Sequence, residues 1–133
     1  MWEVFSTGKH WRLADKAREI LTQVASHNIR IAILSNNDSR LRSVLDDLQM
    51  IDLFEEIFIS SEIGYEKPEL EIFRTVEKRM DETPDGFLHL GDSYSRDYLG
   101  ARQAGWQACL YGSKSGEEKE ITHFEELPTI LGI

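Results

Sequence analysis

Residues 29–34 read Ile-Arg-Ile-Ala-Ile-Leu, a short run rich in β-branched side chains. Such a run is typical of a strand that is buried on both faces of a parallel sheet. An amphipathic helix beginning near Asp15, with Ile20 and Val24 on its apolar face, precedes the run. Asp38 follows it and is positioned to cap a second helix. This helix–strand–helix order predicts an α/β domain.

The rest of the chain repeats the same alternation. The pattern predicts further strands at 57–59, 87–90 and 108–111, helices after Pro68, at 98–104 and at 124–131, and a polar loop at 113–120. We therefore expect one domain over residues 1–133, with a Rossmann-like parallel sheet and flanking helices. Residues 1–13 form an N-terminal segment to which this pattern assigns no role.

Composition excludes several classes of protein. The chain has 133 residues, of which 41% are hydrophobic and 29% charged, as in an ordinary globular domain. Its 24 acidic and 15 basic residues give a net charge of -9, which argues against nucleic-acid binding. No apolar run is long enough to span a membrane, and the N-terminus does not resemble a signal peptide. Cys109 is the single cysteine, which predicts no intrachain disulfide and fits a cytoplasmic location.

Polar side chains follow three of the predicted strands. Ser35 ends the first strand, Lys67 starts the helix after the second, and Asp92 follows the third, with Asp97 five residues further on. Each has an ordinary explanation as a turn, cap or solvated residue, but ligands of parallel sheets bind beyond the carboxyl ends of the strands. A hydroxyl, an ammonium and two carboxylates at that edge suit a phosphate beside Mg²⁺. His89 is predicted only to pack within its strand, because no second His or Cys stands at ligand spacing.

The same stretches carry a family resemblance. They are Ile-Ala-Ile-Leu-Ser-Asn at 31–36, Gly-Tyr-Glu-Lys-Pro at 64–68, Leu-Gly-Asp-Ser at 90–93 and Asp-Tyr-Leu-Gly-Ala-Arg-Gln-Ala-Gly at 97–105. They resemble the second, third and fourth motifs of the haloacid dehalogenase (HAD) superfamily. The last stretch is close to the haloacid dehalogenase-like hydrolase domain-containing branch. The resemblance begins at about residue 11 and implies a phosphatase-type hydrolase acting on small phosphorylated molecules.

The resemblance also implies a role for each site residue. Ser35 and Asn36 would bind the phosphoryl group, and Lys67 would pair with it and steady the nucleophile. Asp92 would bind Mg²⁺, and Asp97 would bind it or orient its waters. Lys67 and Asp92 are thus the predicted catalytic residues, in a metal site that is incomplete and binds Mg²⁺ weakly.

One part of the family pattern is missing. HAD enzymes use an aspartate nucleophile in an Asp-x-Asp motif at the end of an N-terminal strand, whereas Asp15 is the only aspartate in residues 1–15. The cap that usually follows that motif is missing too. The expected protein is a truncated HAD core without its first, central strand, and inactive or nearly so. The alternative is a non-catalytic remnant that binds a partner or a phosphorylated ligand. A phospho-receiver domain is excluded because Lys67 precedes the Gly-Asp motif.

A missing central strand would leave two strand edges unpaired, which is costly. Residues 2–6 could replace the strand, the two flanking strands could pair directly, or a second chain could cover the gap. We favour the third solution and expect a homodimer, because Met1, Trp2, Val4 and Phe5 form an apolar cluster with little local sequence to bury it.

Overall fold

The computed structural model describes residues 2–5, 14–47, 49–111, 120–121 and 126–132. The strands in these ranges are β1 (Trp2–Phe5), β2 (Arg30–Ser35), β3 (Glu56–Ile59), β4 (Phe87–Gly91), β5 (Gln107–Tyr111) and β6 (Glu120–Ile121). The α-helices are α1 (Ala14–Ala25), α2 (Arg40–Asp47), α3 (Ser60–Ile63), α4 (Leu70–Met80), α5 (Gly100–Gln103) and α6 (Leu127–Leu131). A π-helical segment, Tyr94–Leu99, leads directly into α5. The described strands form one parallel sheet in the order β3-β2-β1-β4-β5-β6.

Both faces of the sheet are covered by helices. On β2, Ile31 and Ile33 belong to an apolar cluster that also contains residues of α1, α2 and α6. The alternate residues Ala32 and Leu34 belong to a second cluster, with residues of α4 and α5. Because successive side chains of a strand point to opposite faces, a strand between two helical layers is apolar at nearly every position. The predicted α/β class with a parallel sheet and flanking helices is confirmed.

Most predicted elements are present, with small shifts at their ends. Asp38 caps α2 as predicted, since its Oδ1 accepts a hydrogen bond of 3.0 Å from the Arg40 backbone N–H. The helix predicted at 98–104 begins earlier, at Tyr94. Its start is capped by Ser93, whose Oγ accepts from the Arg96 backbone N–H at 3.2 Å. Asp97, which was expected just before the helix, therefore lies within its first turn.

The centre of the sheet corrects one expectation. The sequence predicted a core without its central strand, but β1 lies between β2 and β4 and pairs with both, with Val4 opposite Ala32 and His89. Tryptophan, valine and phenylalanine favour extended backbone, and pairing on both sides satisfies the N–H and C=O groups of the strand. Residues 2–5 therefore act as the substitute strand. The gap that motivated the homodimer is filled, and the homodimer itself stays a prediction.

The C-terminal region is described only in part. The predicted loop at 113–120 lies outside the described residues except for Glu120, which begins β6. The helix predicted at 124–131 is present as α6, and Pro128 lies in its first turn, where a missing backbone N–H costs nothing. Among the described residues, no helix combines the length and the apolar character needed to cross a bilayer.

Candidate active site

Lys67 is buried, with 3% of its surface exposed, and is held at both its backbone and its ammonium. Its backbone N–H donates to Asn36 Oδ1 at 2.9 Å, and its carbonyl accepts from Asn36 Nδ2 at 3.1 Å. The ammonium donates to the Leu34 carbonyl at 3.2 Å and to Asp97 Oδ1 at 2.5 Å. Because Leu34 lies near the end of β2 and Asn36 directly follows that strand, the lysine is anchored to the carboxyl edge of the sheet.

Asp97 collects donors from three parts of the fold. Its Oδ1 accepts from Lys67 Nζ and lies 3.0 Å from His89 Nε2 on β4. Its Oδ2 accepts from the Ser93 backbone N–H at 3.0 Å. The residue is 2% exposed, so its charge is compensated by these protein donors. Asp97 therefore joins the loop of Lys67, the strand β4 and the start of the following helix.

The electrostatics of this group follow from its burial. Burial by itself would raise the pKa of Asp97, but the hydrogen bond and charge of His89, together with the Lys67 ammonium, hold the pKa of Asp97 below its ordinary value. Burial lowers the pKa of Lys67, while the carboxylates of Asp97 and Asp92 oppose that shift. Each charge of the buried pair thus depends on the other, because neither is solvated by water.

Two glycines allow this arrangement. A Cβ atom at Gly91 would lie 2.3 Å from Cγ of Asp97, so only glycine leaves room for the carboxyl group at the end of β4. A Cβ atom at Gly100 would lie 3.0 Å from Cβ of Pro68 and 3.2 Å from the Phe73 ring, which is tighter than ordinary contact. The helix that carries Asp97 can therefore pack closely against the segment that carries Lys67.

Gly91→Ala is expected to destabilise the protein by about 1–3 kcal/mol, because the added methyl group displaces Asp97 from the buried lysine. Urea unfolding measures the loss. Gly86→Ala is the matched control, since the nearest atoms to its Cβ would be those of the flexible side chain of Glu82. Equal stability of the two variants would contradict the close approach of Asp97 to Gly91.

The other predicted site residues lie at the same edge of the sheet. Ser35 is the last residue of β2 and is 2% exposed. Asp92 directly follows β4, is exposed, and is near enough to Lys67 to affect its pKa. Both amide atoms of Asn36 hold the Lys67 backbone. The structure thus brings Lys67 and Asp97 into contact, with Asn36 bracing the lysine loop. The roles of these residues toward phosphate or metal stay predictions.

The residues present include one carboxylate that fits a magnesium site. Asp92 offers an exposed carboxylate, and Mg²⁺ commonly takes one or two carboxylates and completes its shell with water and phosphate oxygens. Both oxygens of Asp97 accept from Lys67, His89 or Ser93, so this geometry favours a role in positioning Lys67 over direct metal ligation. Within the described ranges, no three His, Cys, Asp or Glu residues are grouped so that they could hold a metal.

His89 is the site residue that sequence reasoning undervalued. It packs as predicted, since its ring lies 6.2 Å from the rings of both Phe73 and Trp106. It also contacts Asp97, which was not expected. The sequence did hold a signal, because side chains alternate along a strand and this places His89 and Gly91 on the same face of β4. In the structure, Asp97 folds back onto that face beside Gly91.

A match to a known protein family covers most of the chain. A family model described as haloacid dehalogenase-like hydrolase matches residues 2–105. The chain belongs to the haloacid dehalogenase-like hydrolase family. Membership accounts for the three motifs at the carboxyl edge of the sheet, although the central strand β1 contains no aspartate.

Curated members of the HAD-like family support this assignment. Haloacid dehalogenase-like hydrolase domain-containing protein 3 of Xenopus laevis is 30% identical over 142 residues, covering 100% of this chain and 58% of that protein. Glyceraldehyde 3-phosphate phosphatase of Methanothermobacter thermautotrophicus is 32% identical over 107 residues, covering 80% of this chain and 47% of that protein. The chain therefore spans about half the length of these relatives.

A solved structure of the HAD-like family shows the same fold. The putative HAD-hydrolase YfnB of Bacillus subtilis, in a crystal form bound to magnesium, superposes with a TM-score of 0.81 at 28% identity. The similarity covers 90% of this chain and 56% of that one. The parallel sheet and its flanking helices are thus shared with a larger HAD protein.

Proposed function

We propose that this HAD-like hydrolase core carries the phosphate-binding part of a phosphatase-type site for small phosphorylated molecules. The observation that supports it is the buried ammonium of Lys67, held by Asp97 and the Leu34 carbonyl at the carboxyl edge of the sheet. A fixed cation at that edge is what binding and transfer of a phosphoryl group require. The similarity to a glyceraldehyde 3-phosphate phosphatase agrees with this class of substrate.

Each residue has a distinct part in the proposed site. Lys67 attracts the phosphoryl oxygens, and the Ser35 hydroxyl at the end of β2 donates a hydrogen bond to one of them. Asp92 holds Mg²⁺, which when bound neutralises charge on the phosphoryl group. Asp97 and Asn36 position Lys67 through its ammonium and its backbone.

We further propose that the chain is inactive or nearly so. Hydrolysis through an aspartyl-phosphate needs an aspartate nucleophile, and β1, at the centre of the sheet, contains no aspartate. Binding and charge stabilisation without the nucleophile leave only residual catalysis. The same observation favours the second candidate function, a non-catalytic module that binds a phosphorylated ligand or a partner.

Lys67→Met is expected to weaken the binding of inorganic phosphate about tenfold or more, because it removes the charge that pairs with the anion. An NMR titration with inorganic phosphate, with and without Mg²⁺, measures the affinity. Lys78→Met is the matched control, since Lys78 is an exposed lysine on α4. Ser35→Ala, which removes only a hydroxyl, provides a second test if loss of Lys67 impairs folding.

The same samples distinguish the two candidate functions. Phosphate binding without hydrolysis of an aryl phosphate agrees with an inactive chain. Turnover that is lost in Asp92→Asn would contradict the proposed inactivity and would show that another group acts as the nucleophile. Equal phosphate affinity of wild type, Lys67→Met and Ser35→Ala would contradict the proposed phosphate site.

A further inference from the structure

An imidazole occupies a position on β4 where the packing is otherwise apolar. His89 is 0% exposed, and Phe73 and Trp106 approach its ring edge-on. Burying a polar ring costs free energy unless it is hydrogen-bonded. An apolar side chain would fill the same space without that cost, so packing alone does not explain a histidine here.

The His89 ring forms a hydrogen bond with one specific oxygen of Asp97. His89 Nε2 lies 3.0 Å from Asp97 Oδ1, and an ionised carboxylate only accepts hydrogen bonds. Nε2 must therefore carry the hydrogen. Lys67 Nζ donates to the same oxygen, so Oδ1 receives donors from two different elements.

We propose that His89 is a positioning residue for Lys67, acting through Asp97. Its Nε2–H and the Ser93 backbone N–H hold opposite oxygens of the carboxyl group, which fixes the group's rotation about the Cβ–Cγ bond. Oδ1 is thereby kept toward Lys67, and the ammonium is kept near the Leu34 carbonyl. Without the imidazole donor, the carboxyl group can rotate and the lysine loses its fixed place at the carboxyl edge.

Three substitutions of His89 separate hydrogen bonding from packing. Gln places its amide nitrogen about as far from the backbone as Nε2, Asn places it only as far as Nδ1, and Leu has no donor. We expect His89→Gln to bind inorganic phosphate within about threefold of wild type, and His89→Asn and His89→Leu to bind about tenfold more weakly. This measurement rests on the proposed phosphate site. The Nζ and Cε resonances of Lys67 should move in the Asn and Leu variants and stay near wild type in the Gln variant.

The spectra also test the inference without any ligand. In wild type, the imidazole ¹⁵N resonances should show a hydrogen on Nε2 of His89. A ring with a bare Nε2, or Lys67 resonances that are the same in all three variants, would overturn the positioning role. If the spectra show the hydrogen on Nε2 and the expected changes at Lys67, but wild type binds no phosphate, the proposed function fails while the inference about His89 stands. If phosphate binding depends on Lys67 but not on the residue at 89, only the inference about His89 fails.

Discussion

Asp97→Ala is expected to destabilise the protein by about 3–5 kcal/mol. The substitution leaves the buried ammonium of Lys67 without its carboxylate, and it removes the acceptor of His89 and of the Ser93 backbone N–H. An uncompensated buried charge is among the most destabilising consequences of a point mutation. The free energy of unfolding in urea measures the effect.

Asp92→Ala provides the comparison within the same motif. Asp92 is exposed, so its loss should change the free energy of unfolding by about 1 kcal/mol or less. Combining Asp97→Ala with Lys67→Met should cost less than the sum of the two single changes, because no buried charge is left unpaired. Additive costs, or equal losses for Asp97→Ala and Asp92→Ala, would contradict the buried pair.

Val4→Pro is expected to destabilise the protein by about 3 kcal/mol or more. Val4 lies in β1, which is paired on both sides, with β2 and with β4. Proline removes a backbone donor, and a central strand has no solvent-facing edge at which that loss is tolerated. Urea unfolding measures the change.

Val4→Thr is the matched control, because threonine keeps both the backbone N–H and the β-branched shape. The proline variant should be clearly less stable than the threonine variant. Equal stability of the two would show that residues 2–5 do not form the central strand. The sheet would then lack its central strand, and the expected homodimer would again be a way to cover the two unpaired strand edges.

The sequence was sufficient for the α/β class and for most of the helices and strands. The apolar run at 29–34 and the amphipathic segments on either side depend only on local pattern, and β2, α1 and α2 lie where that pattern predicts them. Placement of Ser35, Lys67 and Asp92 at one edge followed from a topological rule for parallel sheets. The position of residues 2–5 did not follow, since a four-residue strand, three of whose residues favour extended backbone, can pair within a chain or between chains.

What the sequence determined by itself is the α/β class, most of the elements in their order, and the placement of Ser35, Lys67 and Asp92 after their strands. These follow from periodicity and chain order. Only the tertiary structure decided how those residues are used: Asp97 turns inward to Lys67 and His89, and Asn36 braces the lysine loop. The physical reason is burial. A carboxylate removed from water must take its donors from whichever elements pack around it, and residues 30 positions apart in the chain meet there only because β2, β4 and the helix after Gly91 converge.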